Sequence, residues 1–281
     1  MKKIILTADS TFDMPFEKAG ALDIKVIPSY VSTDGDNVAD YPDITAKELF
    51  EYHDRSGKLP RTSAASPWDY TQFFTSLMSE DVEIIHIAKS SGMSCCVSNA
   101  LMAAKEVKGV TVFDSMSISG GSAMMAEDAA RMRDEGRSAG EIISALEKLR
   151  NDIKGAFIVD NLTYLHEGGR CSSLSRLGAN LLKLRPQIVI KDGSMSVGKK
   201  YRGKFETCVY EFIDDMISGL SKDSYARVCV CHTLTQKALL DKALGYIREH
   251  MPLADISVCE AGPAVSCHCG PDTFGIFVIK E

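Results

Sequence analysis

A turn rich in serine joins two apolar stretches in the N-terminal half of the chain. The segment Ser90-Ser91-Gly92-Met93-Ser94 follows the run 82–88, which has the composition of a buried strand, and leads through Cys95 into a helix-like run. The first turn of a helix has N–H groups without intrahelical partners and a partial positive charge, so phosphate or carboxylate is favoured there. Serine is also a preferred N-cap, which needs no ligand. The turn therefore indicates either an anion site or an ordinary helix cap.

Polar residues follow other predicted strands in the same way. Asp9-Ser10 comes after the run 3–8, and Asp114-Ser115 comes after the run 110–113. Thr62 and Ser63 lie in the polar stretch 60–67, which we predict to be a loop between helices. In open parallel sheets, ligands bind outside the carboxyl ends of the strands. We therefore expect a ligand site at this edge of the sheet.

Two basic motifs in the second half of the chain suggest phosphate chemistry but have simpler explanations. The stretch from Gly193 to Lys199 nearly spells a nucleotide-binding P-loop, but Lys200 stands where serine or threonine is required and no helix is predicted there. Asp192-Gly193 between two alternating runs predicts a β-hairpin instead. The basic run 199–204, which includes Arg202, is typical of a solvated face, and a phosphate or protein-docking patch is the alternative.

The chain has nine cysteines, which raise the questions of disulfides and zinc. An odd number of cysteines without an export signal argues against a disulfide framework, so we interpret most of the cysteines as small buried hydrophobes. Cys229-Val230-Cys231-His232 and Cys267-His268-Cys269 together could supply zinc ligands. Their spacing is not the usual Cys-x-x-Cys, and strand alternation already places Cys229 and Cys231 on one face.

Nucleophilic catalysis is the remaining possibility at the serine turn. Gly92-Met93-Ser94-Cys95-Cys96 resembles the Gly-x-Ser-x-Gly elbow of serine hydrolases but lacks the second glycine. His268 is flanked by Gly262-Pro263 and Gly270-Pro271, which predict a loop before the last strand. A structural and a functional role for His268 remain equally open at this point.

The elements that position these residues alternate between strands and helices. The N-terminal half has predicted strands at 3–8, 24–31, 82–88 and 110–113 and helices at 46–53, 119–133 and 139–152, which indicates a parallel sheet covered by helices. Thr45 with Glu48 at capping-box spacing predicts one helix start, and Ser66 before Pro67 predicts an N-cap with proline at the first helical position. The second half has predicted strands at 156–160, 186–191, 194–200, 227–231, 255–259 and 274–279 and helices at 161–166, 206–220 and 235–250. We predict an α/β domain at residues 1–154 and an α+β domain with a mixed sheet at residues 155–281.

Composition narrows the class of protein. The chain has 281 residues, 45% of them apolar and 25% charged, which is typical of a globular protein with a substantial core. A net charge of −6 gives no footprint for nucleic acid, and no apolar stretch predicts membrane insertion. The N-terminal apolar run is too short for a signal peptide, so we expect a cytoplasmic protein.

These motifs together resemble the DegV family of fatty-acid-binding proteins, which serve bacterial fatty acid kinase. The resemblance runs nearly end to end, and its specificity comes from the order and spacing of the set. The matching segments are Thr7-Ala8-Asp9-Ser10-Thr11, Pro60-Arg61-Thr62-Ser63, Ser90-Ser91-Gly92-Met93-Ser94, Asp114-Ser115, Leu165-His166-Glu167-Gly168-Gly169-Arg170, Leu184-Arg185-Pro186, Lys200-Tyr201-Arg202 and His268-Cys269-Gly270-Pro271.

The resemblance implies a two-domain fold that binds one fatty acid, such as palmitate, stearate or oleate, without another cofactor or a metal. It implies that the tail is buried and that the carboxylate lies near the domain junction. The implied ligand-binding residues are Thr62, Ser63, Ser91, Ser94, His268 and Arg170, and Arg202 is implied in the kinase step. The implied partners are the ATP-binding subunit of fatty acid kinase and an acyltransferase, and the chain itself would be non-catalytic.

Two other classes of function stay open at the level of sequence. One is a serine or cysteine esterase that acts on a lipid-like substrate from Ser94 or Cys95. The other is a structural or sensor protein without lipid, which would have no elongated cavity.

Overall fold

The computed structural model describes residues 2–41, 43–173, 184–220 and 225–280, which form two α/β units and a small additional sheet. The first unit contains a parallel sheet of strand order β2-β1-β6-β7. Helices cover the faces of this sheet, so its strands are buried on both sides and their sequences are nearly continuous apolar runs. The strands are β1 (Lys3–Asp9), β2 (Ile24–Ile27), β6 (Val82–Ala88) and β7 (Val110–Asp114), and the helices are α1 (Phe16–Ala21), α2 (Ala46–Ser56), α3 (Pro67–Leu77), α4 (Cys96–Glu106), α5 (Gly120–Asp134) and α6 (Ala139–Asp152).

A three-stranded antiparallel sheet, of strand order β4-β3-β5, was not predicted from the sequence. Its strands are β3 (Tyr30–Thr33), β4 (Asp36–Ala39) and β5 (Arg61–Ser63). The single strand predicted at 24–31 is wrong: Pro28 separates β2 from β3, and the two strands belong to different sheets. The polar loop predicted at 60–67 is wrong in its first part, because β5 pairs with β3 there.

Local signals for helix starts are confirmed by their hydrogen bonds. Thr45 and Glu48 form a capping box at the start of α2, as predicted. Ser66 caps α3 and Pro67 occupies its first position, also as predicted. These caps fix where α2 and α3 begin on either side of β5.

The second unit has a mixed six-stranded sheet of order β10-β9-β8-β13-β11-β12, in which β11 and β12 are parallel and the other neighbours are antiparallel. The predicted Asp192-Gly193 hairpin is confirmed. The strands are β8 (Lys154–Val159), β9 (Leu184–Lys191), β10 (Ser194–Arg202), β11 (Ala226–His232), β12 (Asp255–Glu260) and β13 (Thr273–Lys280), and the helices are α7 (Thr163–Gly168), α8 (Phe205–Ile217), α9 (Lys237–His250) and α10 (Pro263–Cys269).

Helix α10 corrects the prediction that His268 lies in a loop. Pro263 occupies its first turn, and Gly270 ends it with a φ of 74°. The two Gly-Pro pairs begin and end a short helix instead of marking a continuous loop. A proline at the first position costs no hydrogen bond, and glycine adopts positive φ freely.

The two faces of the mixed sheet have different partners. Val228 and Val230 belong to a core that also contains residues of α8 and α9, whereas Cys229 and Cys231 point to the other face and pack with Met124 of α5. The serine turn also reaches this unit, because Ser90 Oγ donates to the carbonyl oxygen of Gly193 at 2.6 Å. The first unit therefore covers the face of the mixed sheet that α8 and α9 leave open.

In the parts of the chain that the structure describes, each helix falls short of the length and apolarity needed to cross a bilayer.

Candidate functional site

A cavity of about 310 Å³ lies between the first unit and the covered face of the mixed sheet. Its size falls within the roughly 300–1,000 Å³ typical of ligand pockets. Its lining is mostly apolar. The apolar residues of the lining include Phe157, Phe277, Ile190, Met195, Met93, Ile118, Leu165 and Val265.

Strand register explains how the sheet forms the apolar floor of this cavity. Gly275 pairs with Cys231 on one side and with Phe157 on the other, so these three residues form one row across the sheet. A Cβ atom at Gly275 would lie 3.2 Å from Phe157 Cβ, so glycine suits the middle of the row, and all three residues line the cavity. At Gly155, a Cβ atom would lie 2.6 Å from the ring of Phe277. Glycine at this position therefore lets the Phe277 ring lie flat against the floor.

A polar pair from the two units closes one end of the cavity. Thr62 Oγ1 of β5 and His268 Nε2 of α10 share a hydrogen bond of 2.8 Å, although they are 206 residues apart in sequence. Arg170 lines the cavity from the exposed side, where its guanidinium donates to the carbonyl oxygen of Gly168 at 2.6 Å. The polar end of the cavity is therefore built from both halves of the chain.

His268 is held neutral at this position. Burial, together with the positive charges of Arg170 and Lys89, lowers the pKa of His268 to about 4. Its Nδ1 atom is buried and has no hydrogen-bond partner within the described residues. Gly168 packs against the same atom, since a Cβ there would lie 2.6 Å from Nδ1. The Thr62 hydroxyl is thus the hydrogen-bond partner of this imidazole ring.

The serine turn contributes Ser94 and the start of α4. Ser94 Oγ accepts a hydrogen bond from the backbone N–H of Cys96 at 3.3 Å and lies 3.1 Å from Cys96 Sγ. Asn99 of α4 donates to the carbonyl oxygen of Ala65 at 2.8 Å, which ties α4 to the segment after β5. Ser94 therefore satisfies a helix N–H and also lines the cavity, so the two readings of the turn are compatible.

The structure brings most of the predicted site residues to one cavity and leaves two outside. Lining it are Thr62, Ser63, Ser94, Arg170 and His268. Ser91 is exposed outside the lining, and its backbone N–H donates to Asp114. Arg202 is exposed at the end of β10, also outside the lining. The same turn therefore directs Ser94 inward and leaves Ser91 on the surface.

Several polar residues of the lining were missed from the sequence, among them Lys89, Thr11 and Ser119. Lys89 follows β6 directly, and its backbone N–H donates to the buried carboxylate of Asp9 at 2.6 Å. Thr11 Oγ1 and Ser119 Oγ are buried, and neither has a hydrogen-bond partner among the described residues. Their position just beyond strand ends was the available signal, because that edge was already expected to hold a ligand.

A pair of buried carboxyl groups lies behind this polar lining. Burial raises the pKa of Asp13 to about 7, and Asp13 accepts a hydrogen bond from the backbone N–H of Gly262 at 2.9 Å. Burial likewise raises the pKa of Asp40 to about 6, although Ser10 donates to its carboxylate at 2.9 Å. The Asp13–Gly262 hydrogen bond joins the two units. Because the pKa of Asp13 lies near 7, the strength of this bond depends on pH near neutrality.

The hydrogen bonds at the site do not favour an esterase. In the described part of the chain, no histidine nitrogen is hydrogen-bonded to Ser94 or Cys95. The Thr62–His268 pair has the arrangement of a nucleophile and a base, but a base with a pKa of about 4 is weak at neutral pH. It also lacks an acidic partner at Nδ1 to orient it.

Comparisons with known proteins agree over the whole length of the chain. The profile of a family described as "Uncharacterised protein, DegV family" matches residues 3–281. A DegV domain-containing protein of Caldanaerobacter subterraneus is 30% identical over 280 residues, with 99% of each chain covered. A Thermotoga maritima protein named "Fatty acid-binding protein" is 29% identical over 288 residues, with 99% of each chain covered. A solved structure, described as fatty acid binding of a DegV family protein from Thermus thermophilus, is 28% identical, covers 100% of both chains and has a TM-score of 0.91.

Proposed function

The chain belongs to the DegV family, and from that premise we propose that it binds a long-chain fatty acid. The tail occupies the apolar cavity, and the carboxylate lies at the polar end among Thr62, Ser63, Ser94, His268 and Arg170. The observation that carries the proposal is the mostly apolar cavity that the Thr62–His268 pair closes at one end. The names of the Thermotoga and Thermus relatives support the same ligand class.

Burial of the tail supplies most of the affinity. A tail of about 16 carbons has about 14 methylenes, and at roughly 0.8 kcal/mol each their burial offers about 11 kcal/mol before the ordering costs of binding. The cavity offers apolar surface for contact with the tail from Phe157, Phe277 and Ile190.

The polar end supplies orientation, because a carboxylate taken out of water needs hydrogen-bond donors. With its proton on Nε2, the neutral His268 donates to Thr62 Oγ1, and the hydroxyl hydrogen of Thr62 is then free for the carboxylate. The hydroxyl of Ser94 and the guanidinium of Arg170 are further donors at the same end. His268 thus acts on the ligand through Thr62.

We also propose that the chain divides into domains at residues 1–154 and 155–281, with the head-group site between them. Helix α6 ends at Asp152 and β8, the first strand of the mixed sheet, begins at Lys154. A small relative movement of the two domains would open the polar end, because Thr62 and His268 belong to different domains.

The protein then presents the carboxylate to the ATP-binding subunit of a fatty acid kinase and holds the acyl phosphate for an acyltransferase. Negative charge develops during phosphoryl transfer, and an arginine near the contact with the kinase would stabilise it. Exposed Arg202 is our first candidate for this partner contact, and Arg170 is the second. If Arg202→Ala binds fatty acid normally and supports kinase-dependent phosphorylation at the wild-type rate, this role for Arg202 is wrong.

Native mass spectrometry of the purified protein tests the ligand class directly. We expect a species heavier than the polypeptide by the mass of one fatty acid, which solvent extraction removes and added oleate restores. Butyrate is the matched control, because it has the same carboxylate and almost no tail. Failure of delipidated protein to bind oleate, or equal binding of oleate and butyrate, would contradict the proposed function.

A further inference from the structure

Three cysteine thiols meet beside the cavity, on the face of the mixed sheet that the first unit covers. Cys229 and Cys231 lie two residues apart on β11, and Cys259 lies directly beside Cys231 on the parallel strand β12. The Sγ–Sγ distances are 3.8 Å for Cys229–Cys231, 4.0 Å for Cys229–Cys259 and 2.8 Å for Cys231–Cys259. The three residues are 3%, 6% and 4% exposed, so the thiols form a cluster shielded from solvent.

This cluster differs from the zinc set considered from the sequence. That set combined Cys229, Cys231 and His232 with the Cys267-His268-Cys269 segment, whereas the structure places Cys259 beside Cys231. Within the described residues, the cluster consists of three thiols, without a fourth cysteine, histidine or carboxylate ligand close enough to join them. Structural zinc sites are almost always tetrahedral with four protein ligands. The set therefore fits an ion that accepts three soft ligands.

The spacing of the sulfur atoms suits trigonal coordination. A metal–sulfur distance of about 2.3 Å in a planar trigonal site gives sulfur–sulfur distances of about 4.0 Å. The two Cys229 distances of 3.8 and 4.0 Å already match this geometry. The Cys231–Cys259 pair would have to open by about 1 Å, which a modest side-chain rotation provides.

The N-terminus of helix α5 lies against the thiol cluster. It begins at Gly120, where a Cβ atom would lie 2.7 Å from Cys231 Sγ and 2.8 Å from Cys229 Sγ. The positive end of this 15-residue helix thus lies against the thiols. A side chain larger than hydrogen at Gly120 would occupy the position of the sulfur atoms.

We propose that Cys229, Cys231 and Cys259 form a binding site for one monovalent copper ion, Cu(I), coordinated by three sulfur atoms. Thiolates are the ligands that select soft ions such as Cu(I), and a buried all-sulfur site excludes the harder cations of the cell. Each cysteine binds the ion as a thiolate, so the thiol protons are released to solvent and affinity rises with pH. Cys231 lines the cavity, which gives the ion a route to the cluster.

Anaerobic titration of the fully reduced protein with Cu(I) tests this site. Bicinchoninate serves as the coloured competitor. Alkylation of a separate sample beforehand should count nine free thiols, which shows that the protein is fully reduced. We expect one Cu(I) per chain. Because loss of an outer partner alone costs about 10–100-fold in metal affinity, Cys229→Ala and Cys259→Ala should each weaken binding by at least about 100-fold. Cys208→Ala is the matched control, since Cys208 is buried on α8 outside the cluster.

X-ray absorption at the copper edge of the wild-type complex gives a readout that does not depend on how well the variants fold. The site predicts three sulfur neighbours at about 2.3 Å without nitrogen or oxygen neighbours. Nitrogen or oxygen in the first coordination shell would overturn the proposal. Wild-type protein that binds less than one Cu(I), or folded Cys259→Ala that binds it as tightly as wild type, would do the same.

Discussion

The Thr62 hydroxyl offers the sharpest single perturbation of the proposed head-group site. Thr62→Val replaces the hydroxyl with a methyl group of similar size and leaves the pairing of β5 with β3 unchanged. It removes the hydrogen bond of 2.8 Å with His268 Nε2 and the donor that we assign to the carboxylate. The apolar floor of the cavity lies on other elements and is retained.

The expected size of the effect follows from the kind of bond that is lost. A hydrogen bond to a charged group contributes about 1.5–3 kcal/mol, which corresponds to about 10–150-fold in the dissociation constant. We therefore expect Thr62→Val to weaken oleate binding by about that factor. The same change should weaken binding of oleyl alcohol much less, because the alcohol has the same tail and carries no charge.

Isothermal titration of delipidated wild-type and Thr62→Val proteins with both ligands completes a cycle that isolates the carboxylate. Thr71→Val is the matched control, because the Thr71 hydroxyl bonds to the carbonyl oxygen of Pro67 within α3 and lies outside the cavity lining. This variant should bind both ligands as wild type does. Equal losses for oleate and oleyl alcohol, or no loss for oleate, would refute the assignment of Thr62 to the carboxylate.

Three further predictions concern stability and are measured by urea unfolding. Gly92→Ala should lower the free energy of unfolding by about 1–3 kcal/mol, because its Cβ would collide with the carbonyl oxygen of Gly193, whereas Gly140→Ala in open space should not. Equal stability of both variants would contradict the contact. The Asp13 carboxyl has a pKa of about 7 in the folded protein against 3.8 ordinarily. The free energy of unfolding should therefore fall by up to about 4 kcal/mol as pH rises from about 4 to about 7, and Asp13→Asn should remove that slope. His268 has a pKa of about 4 in the folded protein against 6.5 ordinarily. The free energy of unfolding should therefore fall by up to about 3 kcal/mol as pH falls from about 6.5 to about 4, and His268→Gln should show a flatter pH profile of stability in that range. If Asp13→Asn or His268→Gln has the same dependence of unfolding free energy on pH as wild type, the burial of Asp13 or His268 is contradicted.

Features encoded by neighbouring residues could be predicted from the sequence. The capping box at Thr45, the N-cap at Ser66 and the Asp192-Gly193 hairpin need contacts only a few residues apart, and all three are present. Strand β5 and helix α10 could not be predicted, because each is short and is stabilised by packing against distant segments. Pairing with β3 turns three polar residues into a strand, and flanking Gly-Pro pairs enclose two helical turns.

The candidate site shows the same limit. The resemblance to a family pointed to Thr62, Ser94 and His268, but spacing in the sequence contains no information on the Thr62–His268 contact across 206 residues. Turn geometry decides that Ser94 faces the cavity and Ser91 the exterior, and this geometry depends on the contact with Gly193. Cys259 joins Cys231 only through the parallel pairing of β11 and β12, so the thiol cluster was also outside the reach of local patterns.

A crystal structure of the protein with bound oleate would test the central claim most directly. We predict the carboxylate oxygens at about 2.5–2.9 Å from the Thr62 and Ser94 hydroxyls, the distance of charge-assisted hydrogen bonds, with the tail along Phe157 and Phe277. A carboxylate placed away from the Thr62–His268 pair, or a tail lying outside the cavity, would contradict the account.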